Sequence, residues 1–250
     1  MYFKRLILTV IIVMVTFSLS LAGPAEEAET LVDRGNELYN QGKYDEAMKY
    51  YDKAIEIYPQ EHYAWNNKGL ILHDRGNYEE AIKCYDKALE IDPMNMYAWY
   101  NKGLIMEEKG KYEEAIQFYD RAIDIFSFYT YALNSKGVCL TKLERYEEAI
   151  VCYNKALKAD SKDSETWNNM GITLYKQKKY SESLECFNKA LEIDEKNAEI
   201  WNNKGLSLAG QGEYKEAVKC YDRALELKPE YKEANKNRDE TLKLMKEGGK

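Results

Sequence analysis

A lattice of glycines constrains this chain more than any single motif. Gly35, Gly69, Gly103, Gly137, Gly171 and Gly205 follow one another at intervals of 34 residues. Each has a tyrosine nine residues on: Tyr44, Tyr78, Tyr112, Tyr146, Tyr180 and Tyr214. Self-similarity at a fixed period of this size marks a stacked array, in which each unit buries its apolar face against its neighbours. Such a chain needs no central core, so its 250 residues do not translate into a count of ordinary globular domains.

Within the unit from His62 to Asn95, apolar residues recur at helical spacing twice. Ala64, Trp65, Gly69 and Leu72 make one stripe, and Ala81, Tyr85, Ala88 and Leu89 make the other. Between them, Arg75-Gly76-Asn77 places a glycine where a helix end prefers one. Glu79-Glu80, Glu113-Glu114 and Glu147-Glu148 fall in the first turn of a second helix, where acids complement the helix dipole. Paired carboxylates can serve catalysis or a metal, but this placement makes them solvated partners of the helix end.

Positions are counted from 28, 62, 96, 130, 164 and 198. Position 4 is Trp65, Trp99, Trp167 and Trp201, with Leu31 and Leu133 in two copies. Position 20 is Ala47, Ala81, Ala115, Ala149 and Ala217, with Ser183 in the fifth. Position 24 is Tyr51, Tyr85, Tyr119, Tyr153, Phe187 and Tyr221, and position 27 is Ala54, Ala88, Ala122, Ala156, Ala190 and Ala224. Small residues on one helix make room for large rings on its partner, so that a pair closes tightly.

This pattern resembles the tetratricopeptide repeat, a helix–turn–helix unit with those residue types at those positions. The resemblance covers residues 28–231 and is highly specific. It implies an all-α fold: an α-solenoid wound as a right-handed superhelix of six repeats, 28–61, 62–95, 96–129, 130–163, 164–197 and 198–231. Residues 23–27 lead in, and 232–250 form a polar capping helix and a frayed tail, since a terminal unit must show water a polar face.

Departures from the pattern are informative. Position 7, usually Leu in the family, is Arg34, Lys68, Lys102, Lys136, Met170 and Lys204. A charge there must reach water or a carboxylate, and Asp52, Asp86, Asp120 and Asp222 on the second helices are the expected partners. The family's proline at position 32 survives as Pro59, Pro93 and Pro229 but is Ser127, Ser161 and Glu195 elsewhere. The turn Ile125-Phe126-Ser127-Phe128-Tyr129 is aromatic where a polar turn is expected. Two readings stand: it packs over the repeat junction, or it is an exposed edge for a partner or for self-association.

The first 22 residues are of different composition. Lys4 and Arg5 precede an uncharged apolar run from Leu6 to Ala22, and Gly23-Pro24 then breaks the helix. Residues 1–22 read as a secretory signal cleaved after Ala22, or as an uncleaved membrane anchor at residues 6–22. Either way the repeats are expected outside the cytoplasm, exported or held at the outer face of the membrane. Those two are the only charges in this segment, so the remainder is more acidic than the whole chain's net −7. A nucleic-acid partner needs a basic face and is not expected.

The five cysteines would suggest disulfides in an exported protein. Cys84, Cys152, Cys186 and Cys220, however, share one repeat position, and neighbouring copies lie a helix pair apart. They read, with Cys139, as small buried hydrophobes. With no CxxC pair and only His62 and His73, no metal or other cofactor is expected.

In the tetratricopeptide family the first helices line the concave side, which implies that positions 2, 5, 6, 9 and 12 face the groove. Position 2 supplies Tyr63, Tyr97 and Tyr131, flanked by Glu29, Glu165 and Glu199. Position 5 supplies Asn66, Tyr100, Asn134, Asn168 and Asn202, and position 6 supplies Asn67, Asn101, Asn169 and Asn203. An amide both donates and accepts, so it pairs with a peptide backbone without reading side chains. The position-6 series is similar to the asparagine ladder of O-linked N-acetylglucosamine transferases, which holds extended peptides that way. Tyrosines would add contact area at low entropic cost; the alternative is that these asparagines and tyrosines solvate an inner face or bond between helices.

The carboxylate clamp of chaperone-binding relatives does not fit, because Val32, Tyr97 and Asn101 occupy its basic places. No nucleophile–base pair or phosphate loop occurs, so no enzymatic activity and no catalytic residue is expected. The expectation is a scaffold that binds an extended peptide or helix of another protein on its concave face. Alternatives are a homo-oligomer joined through the 125–129 turn, and recruitment of substrates for a separate enzyme.

Overall fold

The computed structural model describes residues 23–248. Among these residues it has thirteen α-helices and no strand. They are α1 (Pro24–Asn40), α2 (Tyr44–Ile57), α3 (His62–Asp74), α4 (Tyr78–Ile91), α5 (Met96–Glu108), α6 (Tyr112–Ile125) and α7 (Thr130–Lys142). Then come α8 (Tyr146–Ala159), α9 (Ser164–Lys176), α10 (Tyr180–Ile193), α11 (Ala198–Gly210), α12 (Tyr214–Leu227) and α13 (Lys232–Gly248). Two compact units divide the chain, one ending at Ile105 and the other beginning at Met106. In the first, α1 packs on α2, and α3 on both α2 and α4. In the second, α7, α9 and α11 each pack on the second helix that follows them, and α13 packs on α12. This is the all-α, tandem helix-pair architecture of a solenoid, closed by a C-terminal helix. The expected signal or anchor falls on residues 1–22, outside the described residues. None of the described helices is long and apolar enough to cross a membrane.

The glycine lattice is a packing device. A Cβ added to Gly35 or Gly137 would run into Cε1 of Tyr51 or Tyr153, and one on Gly205 would stand 2.5 Å from Cε1 of Tyr221. Each ring lies against the bare backbone of the first helix and is fully buried. Burying a ring of this size removes on the order of 150–250 Å² from water.

A second glycine series works differently. Gly42, Gly76, Gly110 and Gly212 have φ between 70° and 85° and end the first helices. Lys43 N–H then reaches Leu38 O, and Asn77 N–H reaches Leu72 O, both at 2.9 Å, satisfying carbonyls that the helix leaves open. In two units this position is Glu144 (φ 60°) and Lys178 (φ 61°), which adopt the same turn despite their side chains.

Two further ties join one helix pair to the next. The indoles of Trp65, Trp99 and Trp167 donate to the carbonyls of Pro59, Pro93 and Ser161 at 3.0 Å, and Trp201 donates to Glu195 O at 2.9 Å. The contact is to a backbone oxygen, which is why losing proline there does not break it. The expected ion pairs also form: Lys68–Asp52 and Lys102–Asp86 at 2.6 Å, Lys136–Asp120 at 2.5 Å. Asp222 pairs instead with Arg238 of α13, at 3.2 Å. In the unit where position 7 is Met170, the residue sixteen earlier is Asn154, so charge is absent on both sides of that joint.

The aromatic turn is partly inside and partly outside. Tyr129 is buried, while Phe126 and Phe128 remain 49% and 42% exposed. All five cysteines are free and buried. Burial pushes the thiols of Cys186 and Cys220 up to about 11, so they stay protonated and inert at neutral pH.

Candidate functional site

The first helices carry every residue singled out as a peptide contact. In the first unit, Asn66 Nδ2 donates to Asn67 Oδ1 at 2.9 Å, and Asn67 Nδ2 donates to Asn36 Oδ1 on α1 at 2.8 Å. Asn101 on α5 donates back to Asn66 Oδ1 at 3.1 Å. In the second unit, Asn169 donates to Asn134 Oδ1, and Asn203 to Asn168 Oδ1, both at 3.1 Å. Asn237 on α13 donates to Asn202 Oδ1 at 2.9 Å. Position 6 of one helix pair thus bonds to position 5 of the pair before it, except that Asn67 reaches Asn36 at position 9, because position 5 of the first copy is Val32.

Asn66, Asn134, Asn168 and Asn202 are buried, and a buried amide needs such a partner. The asparagines therefore tie first helices together. The part-buried position-6 amides Asn67, Asn169 and Asn203 keep a second N–H, which is capacity left for a ligand, whereas Asn202 is fully buried.

Tyrosine is sorted by position. The position-24 rings Tyr51, Tyr85, Tyr119, Tyr153 and Tyr221 are at most 1% exposed, whereas Tyr63, Tyr97 and Tyr131 are 46%, 44% and 67% exposed. Tyr100 is half-buried. The Tyr63 ring is held against His62 at a centroid separation of 4.1 Å, and Tyr131 meets Tyr129 edge-on at 6.0 Å.

Within the second unit the first helices also frame a recess. A polar cavity of about 400 Å³ opens between α9 and α11, lined by Ser164, Glu165, Asn168, Asn169, Asn197, Glu199 and Ile200. Asn134 Nδ2 reaches Glu165 Oε1 at 3.4 Å. Asn197 is occupied in capping α11, accepting from the backbone N–H of Glu199 and Ile200. Past the cavity, burial first, and then the charges of Glu233 and Glu199, push the Tyr231 hydroxyl up to about 12.

Family models decide the relationship. A tetratricopeptide repeat model matches residues 28–61, 97–129, 130–163, 164–197 and 198–231, and related models match 50–83 and 69–110. The chain belongs to the tetratricopeptide repeat family. A 42-residue stretch is 43% identical to the Hsp70-Hsp90 organising protein of Plasmodium falciparum, spanning 17% of this chain and 17% of that protein. YrrB, a TPR protein with an unusual peptide-binding site, is 25% identical, with a TM-score of 0.62 over 76% of this chain and 97% of that one. Pseudomonas aeruginosa pilF is 19% identical, with a TM-score of 0.77 over 87% of this chain and 99% of its own, a likeness of fold.

Two members of this tetratricopeptide array's amide ladder, Asn36 and Asn237, are absent from the sequence-based site, as is Glu233 in the position-2 series. The signal for them is nonetheless in the sequence. Asn237 and Glu233 hold positions 6 and 2 if the count is carried past 231, where the loss of Trp and Gly at Asn235 and Asp239 masks it. Among the described residues no group of three or more His, Cys, Asp and Glu side chains is arranged to hold a metal.

Proposed function

We propose that this tetratricopeptide chain is a non-enzymatic interaction scaffold of six units that binds an extended peptide or helix of a partner protein. Binding is assigned to the first-helix face, through Tyr63, Tyr97, Tyr100 and Tyr131 and the amide row of Asn66, Asn67, Asn101, Asn134, Asn168, Asn169, Asn202 and Asn203, of which the part-buried Asn67, Asn169 and Asn203 are the more open to a ligand. The observation that carries this reading is the division of tyrosines: identical side chains are fully buried at position 24 and open to solvent at position 2. Exposed rings on rigid helices offer amphipathic contact area that little entropy opposes. The likeness to YrrB, itself described as having a peptide-binding site, supports the same assignment.

The test is a panel of synthetic extended and helical peptides, titrated against the full chain and against Y63A/Y97A/Y131A. The variant should bind selected peptides at least about 10-fold more weakly, a loss near 1.4 kcal/mol, with unchanged helical circular dichroism. Equal affinity would remove the tyrosines from the site. The export proposed for the chain rests on residues 1–22, and N-terminal sequencing of the native protein separates a cleaved signal from an anchor.

Self-association is a second reading with an observation of its own. Phe126 and Phe128 are both exposed, with only Ser127 between them in sequence, which fits contact between copies through the 125–129 turn. Sedimentation of the full chain with and without F126S/F128S decides it; a monomer at high concentration ends that reading.

A further inference from the structure

The cavity between α9 and α11 is rich in acceptors. Glu165 and Glu199 project beside it, both exposed, and neither carboxylate forms an ion pair among the described residues. This sets them apart from Glu148, Glu216 and Glu226, each of which sits against a lysine or arginine. The amides of the cavity lean the same way. The carbonyl oxygens of Asn67 and Asn203 accept from the neighbouring Asn66 and Asn202 at 2.9 and 3.4 Å. In the copy just before that of Asn203, Asn169 donates to Asn134, while its own carbonyl oxygen accepts nothing from the described residues. No lysine or arginine lines the cavity.

Glu165 and Glu199 stand in the first turns of α9 and α11, where the helix ends complement them, and Glu165 also accepts from Asn134; a positively charged ligand made of N–H donors would add to both carboxylates and reach the open oxygen of Asn169. A guanidinium or ammonium supplies up to five or three such donors on a long apolar stem. The recess is large enough for the head of one such side chain. We propose that the α9–α11 recess seats an arginine or lysine side chain of the bound segment, so that the partner is a basic peptide. The inference rests on the peptide-binding reading above and adds to it the charge of the partner and its place on the second unit. Polarity here is opposite to that of a clamp for a partner's carboxylate. The carboxylate row continues as Glu233 on α13, giving a positively charged segment a direction in which to run.

The test uses the full chain and short Gly-Ser peptides carrying two arginines, two lysines, two glutamates or two alanines. Affinity is read by fluorescence anisotropy, and the site by NMR of the Asn168 and Asn169 side-chain amides. Arginine or lysine peptides should bind and shift those amides, and E165Q/E199Q should weaken them by about 10-fold, with the loss shrinking at high salt. E185Q/E192Q, which removes the same charge from α10, should leave affinity unchanged. If both charge-removing variants weaken binding equally, the attraction belongs to the net charge of the chain and the recess is not the site. If glutamate or alanine peptides bind as well as basic ones and E165Q/E199Q changes nothing, the charge inference falls and the peptide-binding reading stands. If no peptide of any charge binds, both fall.

Discussion

A Cβ on Gly171 would stand 2.6 Å from Cε1 of Phe187, which is closer than carbon atoms approach without something moving. The one phenylalanine in the position-24 series therefore sits on its glycine as the tyrosines do. The hydroxyl is dispensable at that contact; the flat ring against bare backbone is not. Gly171→Ala is expected to destabilise the chain by about 1–3 kcal/mol, the usual range for overpacking. Phe187→Leu in the same chain should recover part of the loss by drawing the ring edge away. Urea denaturation of the four chains of this double-mutant cycle measures the coupling, and additive losses would show that the two residues do not share the space.

Glu144 and Lys178 hold φ near 60° where the other described copies have glycine. The left-handed conformation costs a residue with a Cβ about 1–2 kcal/mol. Glu144→Gly and Lys178→Gly should therefore each stabilise the chain by roughly 0.5–1 kcal/mol, partly offset by the greater freedom of glycine in the unfolded chain. Raised melting temperatures in both single variants, and a larger rise in the double, are the expected results. A fall in either would mean that its side chain contributes more than its backbone strain removes.

Glu107 on α5 accepts from the Tyr119 hydroxyl at 2.6 Å and lies against the buried Cys139 thiol. Burial raises its pKa above the ordinary carboxylate value, and the bonds from Tyr119 and Cys139 offset only part of that rise. A carboxyl that holds its proton more tightly when folded stabilises the fold below its unfolded pKa, about 4.3, and that contribution is lost as pH rises through the folded value. Glu107→Gln removes the titration and keeps an acceptor for Tyr119. The variant should match the wild type near pH 4 and melt higher near pH 7. Melting curves that stay parallel across this range would show that the carboxyl carries no such shift.

Much of the fold is legible in the residues alone because a repeat offers the same signal several times. The succession of helix pairs and the partners of Lys68, Lys102 and Lys136 follow from register, since the same lysine and aspartate recur sixteen residues apart, whereas α1 begins at Pro24, ahead of the register start at 28. The asparagines are legible as a series but not as a structure. That Asn203 gives its N–H to Asn168, one residue more than a period away, depends on how far successive first helices are offset. The turn at 125–129 shows a different limit. Nothing in Phe126, Phe128 and Tyr129 as residue types says that the tyrosine goes inward and the phenylalanines stay out. The loss of Trp and Gly at Asn235 and Asp239 hides how regular α13 is.

The two sides of α13 are unlike. Its inner side keeps the buried alanine at Ala234, the amide tie from Asn237 and a cation at Arg238 against Asp222, as a first helix of the array would. Its outer side does not. Asp239 stands where an incoming ring would need bare backbone, and it is exposed. Its nearest cation, Arg238 at 3.8 Å, already serves Asp222. A second molecule trying to stack its own helices onto this end would have to bury a carboxylate with only that shared, distant partner, at a cost of several kcal/mol. The tie and the acid together act like a keyed plug: one side fits the row and the other refuses the next piece. For any open stack, where each face can receive the next piece, a carboxylate in place of the glycine makes the outer face of α13 the less receptive of its two sides.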